Sequence, residues 1–182
     1  MPVFKTNINM CDIAIGASLD DNCTTGQGGV EEFYPFNFVT DAFTVVDGIA
    51  TSMNVALTAA YKYVNGSDAN TFTDVLLADK KTGNSVATQT LVYQLNKIKG
   101  ATNLELTKLA QGKMSGVLKD NAGVYHWVGA EKGFNVSANV EAVSGGGTND
   151  VSGYNVTLIS ENKALAPTLD AATVTAFLAI LA

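Results

Sequence analysis

Lys113 to Ser160, KMSGVLKDNAGVYHWVGAEKGFNVSANVEAVSGGGTNDVSGYNVTLIS, decides the fold. Phe134, Val136, Ala138, Val140 and Ala142 alternate with Asn135, Ser137, Asn139 and Glu141, and Tyr154, Val156 and Leu158 repeat the pattern. A period of two with one apolar face is the signature of half-buried antiparallel sheet. Lys113 to Lys119 and Val124 to Val128 pair as a hairpin around Asp120-Asn121-Ala122-Gly123, and Gly145-Gly146-Gly147 interrupts the sheet before Tyr154 to Ser160. The run is a rigid β module with almost no side chain suited to chemistry.

Working outward, Cys11 to Ile15 is a short apolar strand candidate, followed by a glycine-rich polar loop from Ser18 to Gly29. Phe33 to Val39 is aromatic and extended, and Pro35, which has no amide to donate, places it at an edge or a bulge. Met53 to Val64 gives the clearest alternation, with Met53, Val55, Leu57, Ala59, Tyr61 and Tyr63 on one face and Asn65-Gly66 as the turn. Phe72 to Ala78 and Ser85 to Lys97 are two more strands around Lys81-Thr82-Gly83-Asn84, the second long enough to project beyond a core. Thr102-Asn103-Leu104-Glu105 matches a capping box, Leu106, Leu109 and Ala110 form an apolar stripe, and Gly112 fits a left-handed stop, so one principal helix runs from about Thr102 to Gln111. After Pro167, Val174, Phe177, Leu178 and Leu181 have helical spacing, with Thr168 or Asp170 as cap. Without repeats or a linker, residues 1–182 read as a single α+β domain, mainly antiparallel β, with one flanking helix, a glycine-rich N-terminal loop and a C-terminal assembly tail.

A chain of 182 residues suits one core that buries roughly 70% of the unfolded surface. Charged residues make up only 15% while the hydrophobic set is 47%. Such a surface is either covered by other subunits or dressed in Ser, Thr and Asn, and assembly is the reading adopted. Seventeen acids against eleven bases give a net charge of −6, which disfavours a groove that grips phosphates. The N-terminus lacks a signal-peptide pattern, and no apolar run approaches the ~20 residues of a membrane helix, so a soluble protein made in the cytoplasm is expected.

The chemistry-bearing residues favour bland readings. His126, the only histidine, alternates with Tyr125 and Trp127 on a strand, and the local sequence suggests neither a nucleophile nor an orienting acid. Cys11 and Cys23 are read as free thiols, and with one distant histidine they fall short of a zinc set. Asp20, Asp21 and Asn22 lack the alternation of a calcium loop. Gly26-Gln27-Gly28-Gly29 lacks the lysine and hydroxyl of a P-loop, and Asn22, Asn65, Asn135 and Asn155 match the glycosylation triplet by composition alone. Tyr61, Tyr63, Tyr93, Tyr125, Trp127 and Tyr154 are either core or stacking platforms. No catalytic, cofactor-binding or metal residue is assigned, and the chain is not expected to be an enzyme.

From the capped helix to Leu158 the pattern resembles small virion proteins of tailed bacteriophages, especially those infecting Bacteroidetes, and within them the tail tube group. The residues that carry it are Lys119-Asp120-Asn121-Ala122-Gly123-Val124-Tyr125, Val128-Gly129-Ala130, Lys132-Gly133-Phe134, Asp150, Gly153-Tyr154-Asn155-Val156-Thr157-Leu158 and Pro167, about a quarter of the chain. The resemblance implies a β-sandwich or barrel of tail-tube type flanked by one helix, in stacked, commonly hexameric rings around a DNA channel. Its implied partners are copies of itself, other virion proteins, and DNA that passes without tight binding. The Ser18 to Gly29 loop and the apolar C-terminus do not map onto that group, so a portal-ring, head or decoration role stays open. So does a different class altogether, a monomeric module that offers Tyr and Trp to carbohydrate.

Overall fold

A computed structural model describes residues 28–54, 57, 62–64, 70–79, 81–144 and 152–181. Among them the chain forms β1 (Val30–Asn37), β2 (Phe43–Val46), β3 (Ile49–Met53), β4 (Tyr63–Val64), β5 (Thr71–Asp79) and β6 (Asn84–Asn96), then helix α1 (Gly100–Gln111). After it come β7 (Met114–Asp120), β8 (Tyr125–Val128), β9 (Asn135–Val143), β10 (Gly153–Asn162), β11 (Thr168–Leu169) and helix α2 (Ala171–Ala179). A seven-stranded sheet, ordered β2-β3-β11-β8-β7-β1-β4, faces a four-stranded sheet, ordered β5-β6-β10-β9. Neither closes into a barrel. The fold is mainly β, an α+β sandwich.

Two cores follow from this layering. Phe33, Leu118 and Val128 from the large sheet meet Leu91, Tyr93, Tyr154, Val156 and Leu158 from the small one, and Leu106 of α1 joins them. On the other face of the large sheet, Tyr34, Phe36, Phe43, Val117 and Trp127 pack beneath Phe177 of α2. Because both faces are covered, five successive residues of β7, Met114 to Leu118, are buried. Gly116 stands opposite Pro35 and directly under the Phe33 ring, where a Cβ would collide with that ring.

The expected hairpins at Phe72 to Lys97 and Lys113 to Val128 are present in register. Pro35 lies within β1, which is paired along β7; on its other side only Glu32 and Phe33 meet β4 among the described residues, so the missing amide falls on an open edge. A hairpin not anticipated joins β2 to β3. Val46 pairs with Ile49 across Asp47-Gly48, whose φ values of 52° and 80° make a type I′ turn, and the Asp-Gly pair was its sequence signal.

Three expectations need correction. Of the strand expected from Met53 to Val64, the described residues Asn54, Leu57 and Lys62 are not in a strand: β3 stops at Met53, where the Asn54 amide bonds to the Ala42 carbonyl at 2.9 Å, and Tyr63–Val64 form β4. Residues 55–56 and 58–61 lie outside the described residues, as do the strand candidate at Cys11 to Ile15, residues 18–27 of the loop and the glycine break at 145–147. The capping box does not form. α1 starts at Gly100 with Lys99 as an extended N-cap whose side chain makes no capping bond, which puts Thr102 inside the first turn. A tertiary partner sets that start, since the Tyr154 hydroxyl takes the Lys99 amide at 3.2 Å and donates to Asn103 Oδ1. Gly112 is extended, with φ −92°, because the chain runs straight into β7.

The segment after Pro167 is a second helix, capped by Asp170, whose carboxylate accepts the Thr173 amide at 2.7 Å. Its Phe177 is fully buried, so its apolar face is used within its own chain.

Candidate functional site

The outward face of the four-stranded sheet is a regular surface opposite its buried face. Cross-strand registers define its rows. Thr71, Val92 and Thr157 form one; Thr73, Thr90 and Ile159 the next; Val75, Thr88 and Glu161 a third. At one end Gln94, Asn155 and Glu141 line up, with Gln94 Nε2 donating to Asn155 Oδ1 at 3.1 Å. The opposite face carries the buried Ala87, Gln89, Leu91 and Tyr93 of β6, so this is the strict alternation of a one-sided sheet. Its only described charges are Asp79, Glu141 and Glu161, and no lysine stands on it among the described residues, although the chain's eleven basic residues are all lysines.

Among the described residues the sheet is also open at both sides. β5 and β9, nine residues each, are its outermost strands. Toward the β5–β6 turn the hairpin becomes apolar on both faces, with Val75, Leu76, Leu77 and Val86 exposed by 45, 46, 65 and 42%. Long, apolar, unpaired edges are templates for another strand. Asp79 holds the turn by accepting the Lys81 amide at 2.8 Å and the Thr82 hydroxyl at 3.0 Å, and these bonds keep its carboxyl below the usual range.

His126 lies diagonally across the β7–β8 pair from Asp120, with Nε2 3.2 Å from Oδ2, and its ring is 6.3 Å from that of Phe72. Asp120 also accepts the Val124 amide at 2.8 Å. The pair therefore ties a turn. The acid that local sequence did not suggest was legible from the hairpin register, because Leu118 pairs with His126 and Asp120 is the diagonal neighbour. Among the described residues no three His, Cys, Asp or Glu side chains gather as a metal set. Cys11, Cys23, Asp20, Asp21, Asn22, Gly26, Gln27, Asn65 and Tyr61 lie outside the described residues, and for Tyr63 and Asn135 only the backbone is described. Gly28 and Gly29 are held through their carbonyls by Asn121. Tyr93, Trp127 and Tyr154 are 3, 4 and 2% exposed and Tyr125 is half-buried, so three of the expected stacking platforms are core side chains.

At the β1–β4 edge, Glu32 meets Lys62 at 2.6 Å and accepts the Tyr34 hydroxyl. Burial alone would raise the Glu32 carboxyl, but the Lys62 and Tyr34 hydrogen bonds outweigh it and hold it below the usual range; burial and the same carboxylate push the Tyr34 hydroxyl up. A carboxyl lowered in the folded state stabilises above its unfolded value of about 4.3 and loses that contribution as pH falls through the folded value. Melting temperature should therefore fall more steeply between pH 5 and roughly pH 3 for the native chain than for Glu32→Gln. Asp79 and Asp170 titrate in both proteins and cancel in the comparison. Parallel curves would show that the link contributes nothing.

No described helix is long and apolar enough to cross a membrane. No family model, curated protein or solved structure matches this chain.

Proposed function

We propose that this chain is a structural virion protein, a phage tail tube subunit that assembles with its own copies into stacked, hexameric rings around a DNA channel. The observation that carries the reading is the outward face of the four-stranded sheet, rich in threonine and, among the described residues, free of lysine and open at both edges. Joining β5 of one copy to β9 of the next would continue the sheet around a ring and turn that face to the lumen. A surface with three acids and no cations among the described residues repels phosphate instead of holding it, which suits a conduit. The resemblance of Lys119 to Leu158 to tail tube proteins supports the same reading, and hexamers are the ring size that resemblance implies.

Electron microscopy and light scattering over a concentration series test it. Rings or filaments should form as concentration rises, and the assembled protein should leave duplex DNA unretained at low salt. A protein that stays monomeric throughout, or that binds DNA tightly with a steep salt slope, refutes the proposal.

A further inference from the structure

Away from the sheet face, exposed apolar side chains gather at two other places, and the charges around them are opposite in sign. The first is β2, the edge strand of the seven-stranded sheet, with its turn into β3. Val45, Val46 and Ile49 are 42, 52 and 43% exposed there. Between Phe33 and Tyr61 the only charged residues are Asp41 and Asp47, one in the turn at either end of β2. The second is α1 and its approach. Ile98 and Leu104 are 43 and 59% exposed. Ala101, Leu104, Lys108 and Gln111 follow helical spacing on the side away from the buried Leu106, and Lys97, Lys99 and Lys108 outnumber the one acid, Glu105.

These surfaces are kept apart within one chain. β2 stands four strand spacings, about 19 Å, from β7, the strand that α1 feeds. We infer that the exposed face of α1 on one copy covers the β2 edge of the next, with Leu104 set against Val45 and Val46 and the lysines facing Asp41 and Asp47. The occupant is a second copy of this chain because both halves of the match, an acid-flanked apolar edge and a base-flanked apolar helix face, belong to this chain. A helix laid over a sheet edge is a common way to shield unpaired backbone groups. The contact joins two different patches, the heterologous kind that closes into a ring when the rotation per subunit allows. It rests on the assembly reading above and names one of its interfaces, separate from β5 and β9.

A charge-swap experiment on the full chain tests it. Lys99→Glu with Lys108→Glu reverses the helix face; Asp47→Asn with Ser52→Lys brings the hairpin from −2 to neutral and sets one lysine against the helix, and Asn keeps the positive φ that Asp47 adopts. Each double variant should weaken association about tenfold at low salt, measured by sedimentation, while melting temperature stays at the native value. Combining all four changes should restore association to within about threefold of native, because opposite charges again face each other. Leu104→Ser should weaken it without restoration by any charge change. Unchanged association in the double variants, or purely additive losses in the fourfold variant, overturns this interface while leaving the assembly reading intact. A native protein that never associates overturns both.

Discussion

Truncation after Thr168 is expected to unfold the seven-stranded sheet instead of merely weakening assembly. α2 covers the face on which Tyr34, Phe36, Phe43 and Trp127 lie, and Phe177 is at its centre. Its ring packs edge-on to Tyr34 with centroids 5.7 Å apart, and sits 6.3 Å from both Phe36 and Phe43. Phe43 in turn meets Trp127 at 5.1 Å. Removing the helix would return this aromatic cluster to water, and the loss would approach the whole stability of a domain, about 5–15 kcal/mol. The single change Phe177→Ala isolates the effect. A buried Phe replaced by Ala costs about 3–5 kcal/mol, which for a chain of this size lowers melting temperature by roughly 10 °C. Near-ultraviolet circular dichroism should lose its aromatic signal in the truncated protein. A truncated chain that keeps this signal and a cooperative transition would show that the cluster holds without its cover.

Lysines placed on the outward face of the small sheet should convert the assembled protein into a DNA trap. Thr88 and Thr90 point outward from the middle of β6, between Val75 and Thr73 on one side and Glu161 and Ile159 on the other. Thr88→Lys with Thr90→Lys puts two cations there in every subunit. Each phosphate neutralised contributes a salt slope of about −0.9 in the logarithm of the binding constant, and a ring repeats the contact in each copy. Apparent affinity for duplex DNA at low salt should rise at least about 100-fold over the native assembly, and should collapse as salt increases. The same variant, kept dilute enough to stay unassembled, should show little gain. Fluorescence anisotropy of labelled DNA against both states provides the measurement. Equal gains in the two states would place the face outside any channel, and an assembled variant indifferent to DNA would do the same.

Much of the sheet structure was legible from the chain alone, because alternation and turn chemistry are local. Tyr154, Val156 and Leu158 could share a face only if the segment was a strand, and Asp120 to Gly123 could only be a turn between two such strands. The long β6 followed from the same rule. What local rules missed was set by distant partners. Thr102-x-x-Glu105 satisfied a capping pattern, yet the N-cap of α1 is Lys99, three residues earlier, because the Tyr154 hydroxyl, 55 positions away from Lys99, takes its amide. Alternation through residues 53–64 did not reveal that Asn54 bonds back to residues 41 and 42, and among the described residues Asn54, Leu57 and Lys62 are outside any strand.

The candidate surface divides the same way. That Thr71, Thr73, Thr88, Thr90 and Thr157 would lie opposite a buried face was contained in the order of residues, since a strand's two sides are set by its period. That these strands stand side by side, open at β5 and β9 and without a lysine among their described outward residues, depends on how they pair. The sequence by itself determined strands, turns, the shortage of charge and the absence of any recognisable chemical motif. Only the tertiary structure decided that the C-terminal helix belongs to the core, that His126 meets Asp120, and that one face of one sheet lies opposite its buried face. Those outcomes turn on contacts between residues far apart in the chain, whose energies no local window of sequence contains.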